Sequence, residues 1–181
     1  MKISKKLLII LICVSVVLTA ITIGTAAYIL TGTEKTENTF EPVFVSCYVE
    51  NDFDGYTKSN VKIRNTGDID AYIQVTYVVN WMSEDGEIYS IAPVANVDYS
   101  LDFGSEDWKL GSDGYYYYAW PISPGETTEN FVDSITITSE APDGYYFSVH
   151  FLAAAVQAKP ALAVHELWNA VVKNDGELSA P

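Results

Sequence analysis

Histidine, cysteine and basic residues are all scarce in this chain, and each shortage removes a class of function. Two histidines and two cysteines in 181 residues leave little material for a His-rich metal site and cannot build a disulfide framework. Ten Lys and Arg against 24 Asp and Glu give a formal charge of −14, so the chain repels nucleic acid, and no basic patch offsets that repulsion. Only 11 glycines and 7 prolines, beside 49% hydrophobic and 13% aromatic residues, exclude collagen-like, low-complexity and disordered descriptions of the bulk. What is there suffices for one ordinary folded domain, alone or with a short appendage.

The amino terminus points to export. Lys2, Lys5 and Lys6 precede an apolar to weakly polar stretch over residues 7–23, and Gly24-Thr25-Ala26-Ala27 then supplies small residues of the kind a signal peptidase needs. Thr25 at minus three and Ala27 at minus one predict cleavage before Tyr28; Gly24 and Ala26 offer the same pattern one residue earlier. The alternative is an uncleaved single-pass anchor, because the apolar stretch reaches the ~18 residues of a membrane span and its basic flank would stay cytoplasmic. In both cases the remaining chain lies outside the membrane, secreted or held at the cell surface. Removing the leader takes away three positive charges, leaving 10 − 3 = 7 basic against 24 acidic residues, or −17. Cys13 leaves with it, so Cys47 is single and is expected to act as a small buried hydrophobe, a disulfide between molecules being the lesser option.

Beyond the leader the hydrophobic period is two. Over residues 71–81 the odd positions are Ala, Ile, Val, Tyr, Val and Trp, while Tyr, Gln, Thr, Val and Asn alternate with them, the pattern of a half-buried strand. Shorter runs with the same parity occur over residues 43–49, 61–63, 115–118, 135–137 and 145–151. Turn signals separate them: Asp54-Gly55, Asn65-Thr66-Gly67-Asp68, Asp85-Gly86, Asp113-Gly114, Ser123-Pro124-Gly125 and Pro142-Asp143-Gly144. Seven or eight strands at this spacing predict an all-β fold, an antiparallel two-layer sandwich of jelly-roll or immunoglobulin-like connectivity. One segment breaks the rhythm: Val164, Leu167, Trp168, Val171 and Val172 fall at offsets of three and four, which predicts a short amphipathic helix after Pro160 that ends at Asn174-Asp175-Gly176. The expected organisation is therefore a signal peptide or anchor over 1–27, an arm over 28–40, a sandwich with its helix over 41–173 and a loose polar tail over 174–181.

No constellation argues for catalysis, and no cofactor is expected. His165-Glu166-Leu167-Trp168-Asn169 begins like a zinc-protease helix, but Asn169 stands where the second histidine is required, and His150 cannot restore the spacing. His165 is expected on a helix surface and His150 at a rim or in solvent. Asp52, Asp54, Asp68 and Asp70 form alternate carboxylate pairs that could face a calcium ion, yet they match no complete calcium loop; turn carboxylates are the simpler reading. Tyr115, Tyr116, Tyr117 and Tyr118, followed by Trp120, must place tyrosines on both faces of one strand, so half the set is expected to be exposed as a strip for carbohydrate or a neighbouring subunit. Cross-strand aromatic packing explains the same residues equally well.

Several of these motifs occur in an order that resembles TasA and camelysin-type exported proteins of Gram-positive bacteria. They are the leader ending Gly24-Thr25-Ala26-Ala27-Tyr28, Asn38-Thr39-Phe40, the block from Val61-Lys62-Ile63-Arg64-Asn65-Thr66-Gly67-Asp68 to Ile69-Asp70-Ala71-Tyr72-Ile73, Asp113-Gly114-Tyr115, Ser123-Pro124-Gly125-Glu126-Thr127-Thr128, Val156-Gln157-Ala158 and Trp168. The resemblance implies a leader cut by a SipW-type signal peptidase and an extracellular sandwich serving as a biofilm-matrix or cell-surface fibre subunit. It also implies polymerisation, with an amino-terminal segment completing the neighbour's sheet; Tyr28, Ile29, Leu30 and Phe40 are the apolar residues such an arm offers here. Camelysin relatives are described as metalloproteases, but no zinc motif carries over to this chain. The alternative partners are other surface proteins or a carbohydrate, bound by a tethered adhesin.

Overall fold

The computed structural model describes residues 43–181, so the leader, its cleavage residues Thr25 and Ala27, and the arm residues Tyr28, Ile29, Leu30 and Phe40 lie outside the described residues. Among the described residues, ten strands and one helix follow in chain order: β1 (Cys47–Phe53), β2 (Thr57–Asn65), β3 (Ala71–Ser83), β4 (Tyr99–Phe103), β5 (Trp108–Leu110), β6 (Tyr116–Tyr118), β7 (Val132–Ile137), β8 (Tyr145–Gln157), α1 (Leu162–Trp168), β9 (Val171–Val172) and β10 (Leu178–Ser179). Eight strands make two four-stranded antiparallel sheets, ordered β1-β2-β7-β4 and β5-β6-β3-β8. The chain changes layer at β2 to β3, β3 to β4, β4 to β5, β6 to β7 and β7 to β8, so β2 lies beside β7 in one sheet and β3 beside β8 in the other. The inner orders, β2-β7-β4 against β6-β3-β8, follow jelly-roll winding, whereas β1 and β5 pair with their chain neighbours β2 and β6, so the order is neither a complete jelly roll nor an immunoglobulin one. The expected all-β sandwich is the fold.

Period-two alternation explains the core between the sheets. Val61, Ile63, Ile73, Val75, Phe131, Val132 and Ile135 are all buried there, with Trp108, Tyr118, Tyr99 and Ile122 around them. Phe131 sits at the centre of an aromatic cluster, its ring 4.9 Å from Tyr116, 5.1 Å from Trp108 and 5.7 Å from Phe103 between centroids. The turns close as their residue types dictate. Asp54 accepts from the backbone N–H of Tyr56 and Thr57 at the β1–β2 turn, where Gly55 takes a φ of 100°. Asn65, fully buried, donates to the carbonyls of Ile69 and Ile122 at 2.8 and 2.7 Å and accepts from Gly67 N–H at 2.9 Å, tying two loop segments to one side chain.

Three expectations are corrected. The segment around Val43 and Val45 precedes β1, and both side chains are exposed; Cys47 and Val49 alone turn to the core, partly buried. The helix is shorter than its apolar spacing suggests: Asn169 adopts left-handed φ and ψ of 53° and 21° and ends α1, so Leu167 is exposed and Val171 and Val172 form β9. The residues over 174–181 are not a loose tail. Asn174-Asp175-Gly176 turns the chain back so that β10 pairs with β9, and Leu178 is buried beside Tyr72, Tyr117, Val156 and Val164. Those residues form a second core on the outer face of β3, β6 and β8, roofed by α1, β9 and β10.

Candidate functional site

β8 presents the longest open strand margin among the described residues. It runs thirteen residues at one margin of its sheet and pairs with β3 along its whole length, from Ala71↔Gln157 to Ser83↔Tyr145, without a register shift. Among the described residues, the other margins of the two large sheets are β5 with three residues, β4 with five and a register shift, and β1 with a shift between Glu50 and Asp52. Short or bulged edges resist strand addition; a long regular one invites it.

Strand parity identifies the open groups. The Ala71 N–H and C=O exchange hydrogen bonds with Ile122, on the side of β3 away from β8, so the even residues of β3 face β8 and pair with the even residues of β8. Phe147, Val149, Phe151, Ala153, Ala155 and Gln157 therefore turn their backbone N–H and C=O groups outward, and among the described residues none of these groups has a backbone partner. The Val149 carbonyl meets Lys58, whose Nζ lies 3.4 Å from it and 5.8 Å from the Phe151 ring centre. Burial against this flank pushes the Lys58 ammonium below the ordinary lysine range. A cleft of about 450 Å³ runs beside this half of the edge between Phe53, Lys58, Phe147 and Val149. Phe147, Val149, Phe151, Ala153 and Ala155 pack on the main core yet remain only partly buried, so the core is unfinished along this margin.

The residues singled out by sequence fall elsewhere. The tyrosine run is not an exposed strip: Tyr116 and Tyr118 point into the main core, and Tyr117 is wholly buried in the outer one. Tyr115 and Trp120 alone are exposed, at 36% and 40%. The side chains do alternate between the two faces, but the cover of α1 and β10 over the second face removes the strip. Burial raises the Tyr117 hydroxyl well above the ordinary tyrosine range, and its hydrogen bond to Asp113 adds to that.

The acidic pairs serve the turns. Asp52 accepts from Asn60 Nδ2 at 2.8 Å, Asp54 closes its own turn, and Asp68 accepts from Phe44 N–H at 3.3 Å. Asp70 lines a shallow cleft with Asp68 and Lys159. Among the described residues no three His, Cys, Asp or Glu side chains converge as a metal-sized group. His165 and Glu166 are exposed on α1, and the left-handed Asn169 stands off the helix face where a second zinc ligand would have to sit. His150 is exposed and hydrogen-bonded to Ser148 at 3.0 Å. Cys47 is half-buried, and burial raises its thiol. The role of Lys58 escaped sequence reasoning because its hydrogen-bond partner, Val149, lies 91 residues away along the chain.

The chain matches no family model, no curated protein and no solved structure.

Proposed function

We propose that this chain is an exported, non-catalytic structural subunit that links to other copies by strand addition along the free edge of β8, building fibres at the cell surface or in an extracellular matrix. The observation that carries this reading is the thirteen-residue unbulged margin with its outward backbone groups and unfinished core flank. An extended segment laid against it would satisfy those groups at a net ~0.5–1.5 kcal/mol per hydrogen bond, and its alternate side chains would cover Phe147, Val149 and Phe151. Because association itself costs several kcal/mol, such a junction must use most of the edge.

The proposed occupant is residues 28–40 of a second copy. That segment has 40 − 28 + 1 = 13 positions, the length of β8, and its Tyr28, Ile29, Leu30 and Phe40 are the apolar side chains available to enter the flank. The resemblance of the motif order to TasA and camelysin-type proteins supports the same reading, and signal peptidase cleavage before Tyr28 would free the arm. Deleting residues 28–40 from the exported protein is expected to leave a folded monomer with no fibres in negative-stain images. Fibres that persist unchanged would remove the arm from the mechanism. Mass spectrometry of the native amino terminus should find Tyr28 first; an intact Met1 would favour a tethered adhesin.

A further inference from the structure

The roof over the outer face of the second sheet leaves a cleft of about 430 Å³ at its margin, between β3, the β5–β6 turn and the end of α1. From this geometry we infer a second functional site, a saccharide-binding cleft for neutral sugar chains. It is separate from the β8 edge and goes beyond assembly.

The cleft is built around one carboxylate. Asp113 accepts the Tyr117 hydroxyl at 2.5 Å through Oδ2 and the Tyr115 backbone N–H at 3.1 Å through Oδ1, which fixes both tyrosines. Tyr117 forms the buried floor, and the Trp168 ring stands edge-on to it, 5.6 Å away at 69°. Tyr115 is exposed at the rim and Trp168 is partly exposed, so two aromatic surfaces line one opening. The side chains of Gln74, Glu166 and Asn169 line it as well and make no hydrogen bond to other described residues. The volume is that of a small-molecule pocket, ~300–1,000 Å³, and the lining follows the usual division between aromatic walls and a few placed polar groups.

Sugar rings match this lining. A pyranose presents an apolar C–H face that stacks on tyrosine or tryptophan and a rim of hydroxyls that amides and carboxylates hydrogen-bond in pairs. Other ligand classes fit less well. Among the described residues no Lys or Arg lines the cleft, and the chain carries a formal charge of −14, so phosphates, uronates and nucleic acids meet no counter-charge. β3 and β6 are each paired on both sides, so no free backbone edge is present to hold an extended peptide.

Affinity electrophoresis and calorimetry of the full exported protein with chitohexaose, cellohexaose and maltohexaose test the inference, with polygalacturonate as the anionic comparison. At least one neutral oligosaccharide is expected to bind, and Tyr115→Ala and Glu166→Ala, both at exposed positions, should each weaken it about tenfold or more with unchanged far-UV circular dichroism. The Ala153→Pro variant, aimed at the β8 edge, should bind like wild type, so failure of assembly and failure of sugar binding are read separately. Absence of binding to all three neutral chains at millimolar concentration, binding indifferent to both substitutions, or preference for polygalacturonate would each overturn the inference.

Discussion

Proline placed at alternate positions of β8 separates assembly from folding. At Ala153 the backbone N–H points outward, so Ala153→Pro removes no bond to β3; at Ala154 it points inward, and Ala154→Pro breaks the ladder with Gln74. The inward change removes a ladder bond worth ~1 kcal/mol and strands the Gln74 carbonyl for another ~1–3 kcal/mol, which for a domain of this size lowers the Tm by roughly 10 °C. The outward change should move the Tm by no more than about 4 °C, the equivalent of ~1 kcal/mol. An added strand, in contrast, loses the one N–H···O bond that Ala153 would have donated, worth ~1 kcal/mol, and leaves its own carbonyl unpaired for another ~1–3 kcal/mol. Together these come to ~2–4 kcal/mol per junction, or roughly 30- to 700-fold in the junction constant. Sedimentation of polymer from monomer across a concentration series measures this as a rise in the critical concentration, with differential scanning calorimetry of the monomer alongside. An Ala153→Pro variant that leaves the critical concentration unchanged refutes the edge mechanism, and a Tm that falls as far as with Ala154→Pro refutes the assigned parity.

Lys58→Met keeps the apolar stem against Phe151 while releasing the Val149 carbonyl, so it should lower the critical concentration roughly 3- to 10-fold; an unchanged or raised value shows that Lys58 does not guard the edge. Asn65→Ala strands the carbonyls of Ile69 and Ile122 and the N–H of Gly67, which should cost ~3–4 kcal/mol in urea unfolding and about 10 °C in Tm. Acid should weaken the β1–β2 hairpin. The hydrogen bond from Arg64 lowers the Glu50 carboxyl from 4.5, and the backbone N–H groups of Thr57 and Tyr56 lower Asp54 from 3.8. With folded values below unfolded ones, their contribution is fully present above those ordinary values and fades as the pH falls through the lower folded ones. Urea midpoints from pH 6 to pH 2 should decline over that window in wild type and less steeply in Glu50→Gln/Asp54→Asn.

How much of this could be read from the chain depended on whether local pattern and tertiary position agreed. Residues 71–81 alternate cleanly because one face of β3 meets the main core, and Asp54-Gly55 and Asn65-Thr66-Gly67-Asp68 announce turns through side chains that bond their own loops. β4 carries the same alternation over a shorter run, Tyr99, Leu101 and Phe103 alternating with Ser100 and Asp102. β8 was legible only over its first half, because Leu152-Ala153-Ala154-Ala155 has poor intrinsic strand preference and is held extended by its pairing with β3. Val171 and Val172 sit at helical offsets from Val164 and Trp168, and only the left-handed Asn169 turns them into a strand. The buried state of Tyr117 followed from a roof of elements about fifty residues later, which alternation within residues 115–118 could not show. An edge, finally, is defined by which neighbour a strand lacks, and no single segment carries that information.

Residue-resolved amide hydrogen exchange on the assembled and monomeric protein tests the central claim most directly. The account predicts that Phe147, Val149, Phe151, Ala153 and Ala155 gain strong protection on assembly while the even amides of β8, already bonded to β3, change little. Unaltered exchange at those outward amides in fibres, or new protection confined to the margins of β4 or β5, would contradict it.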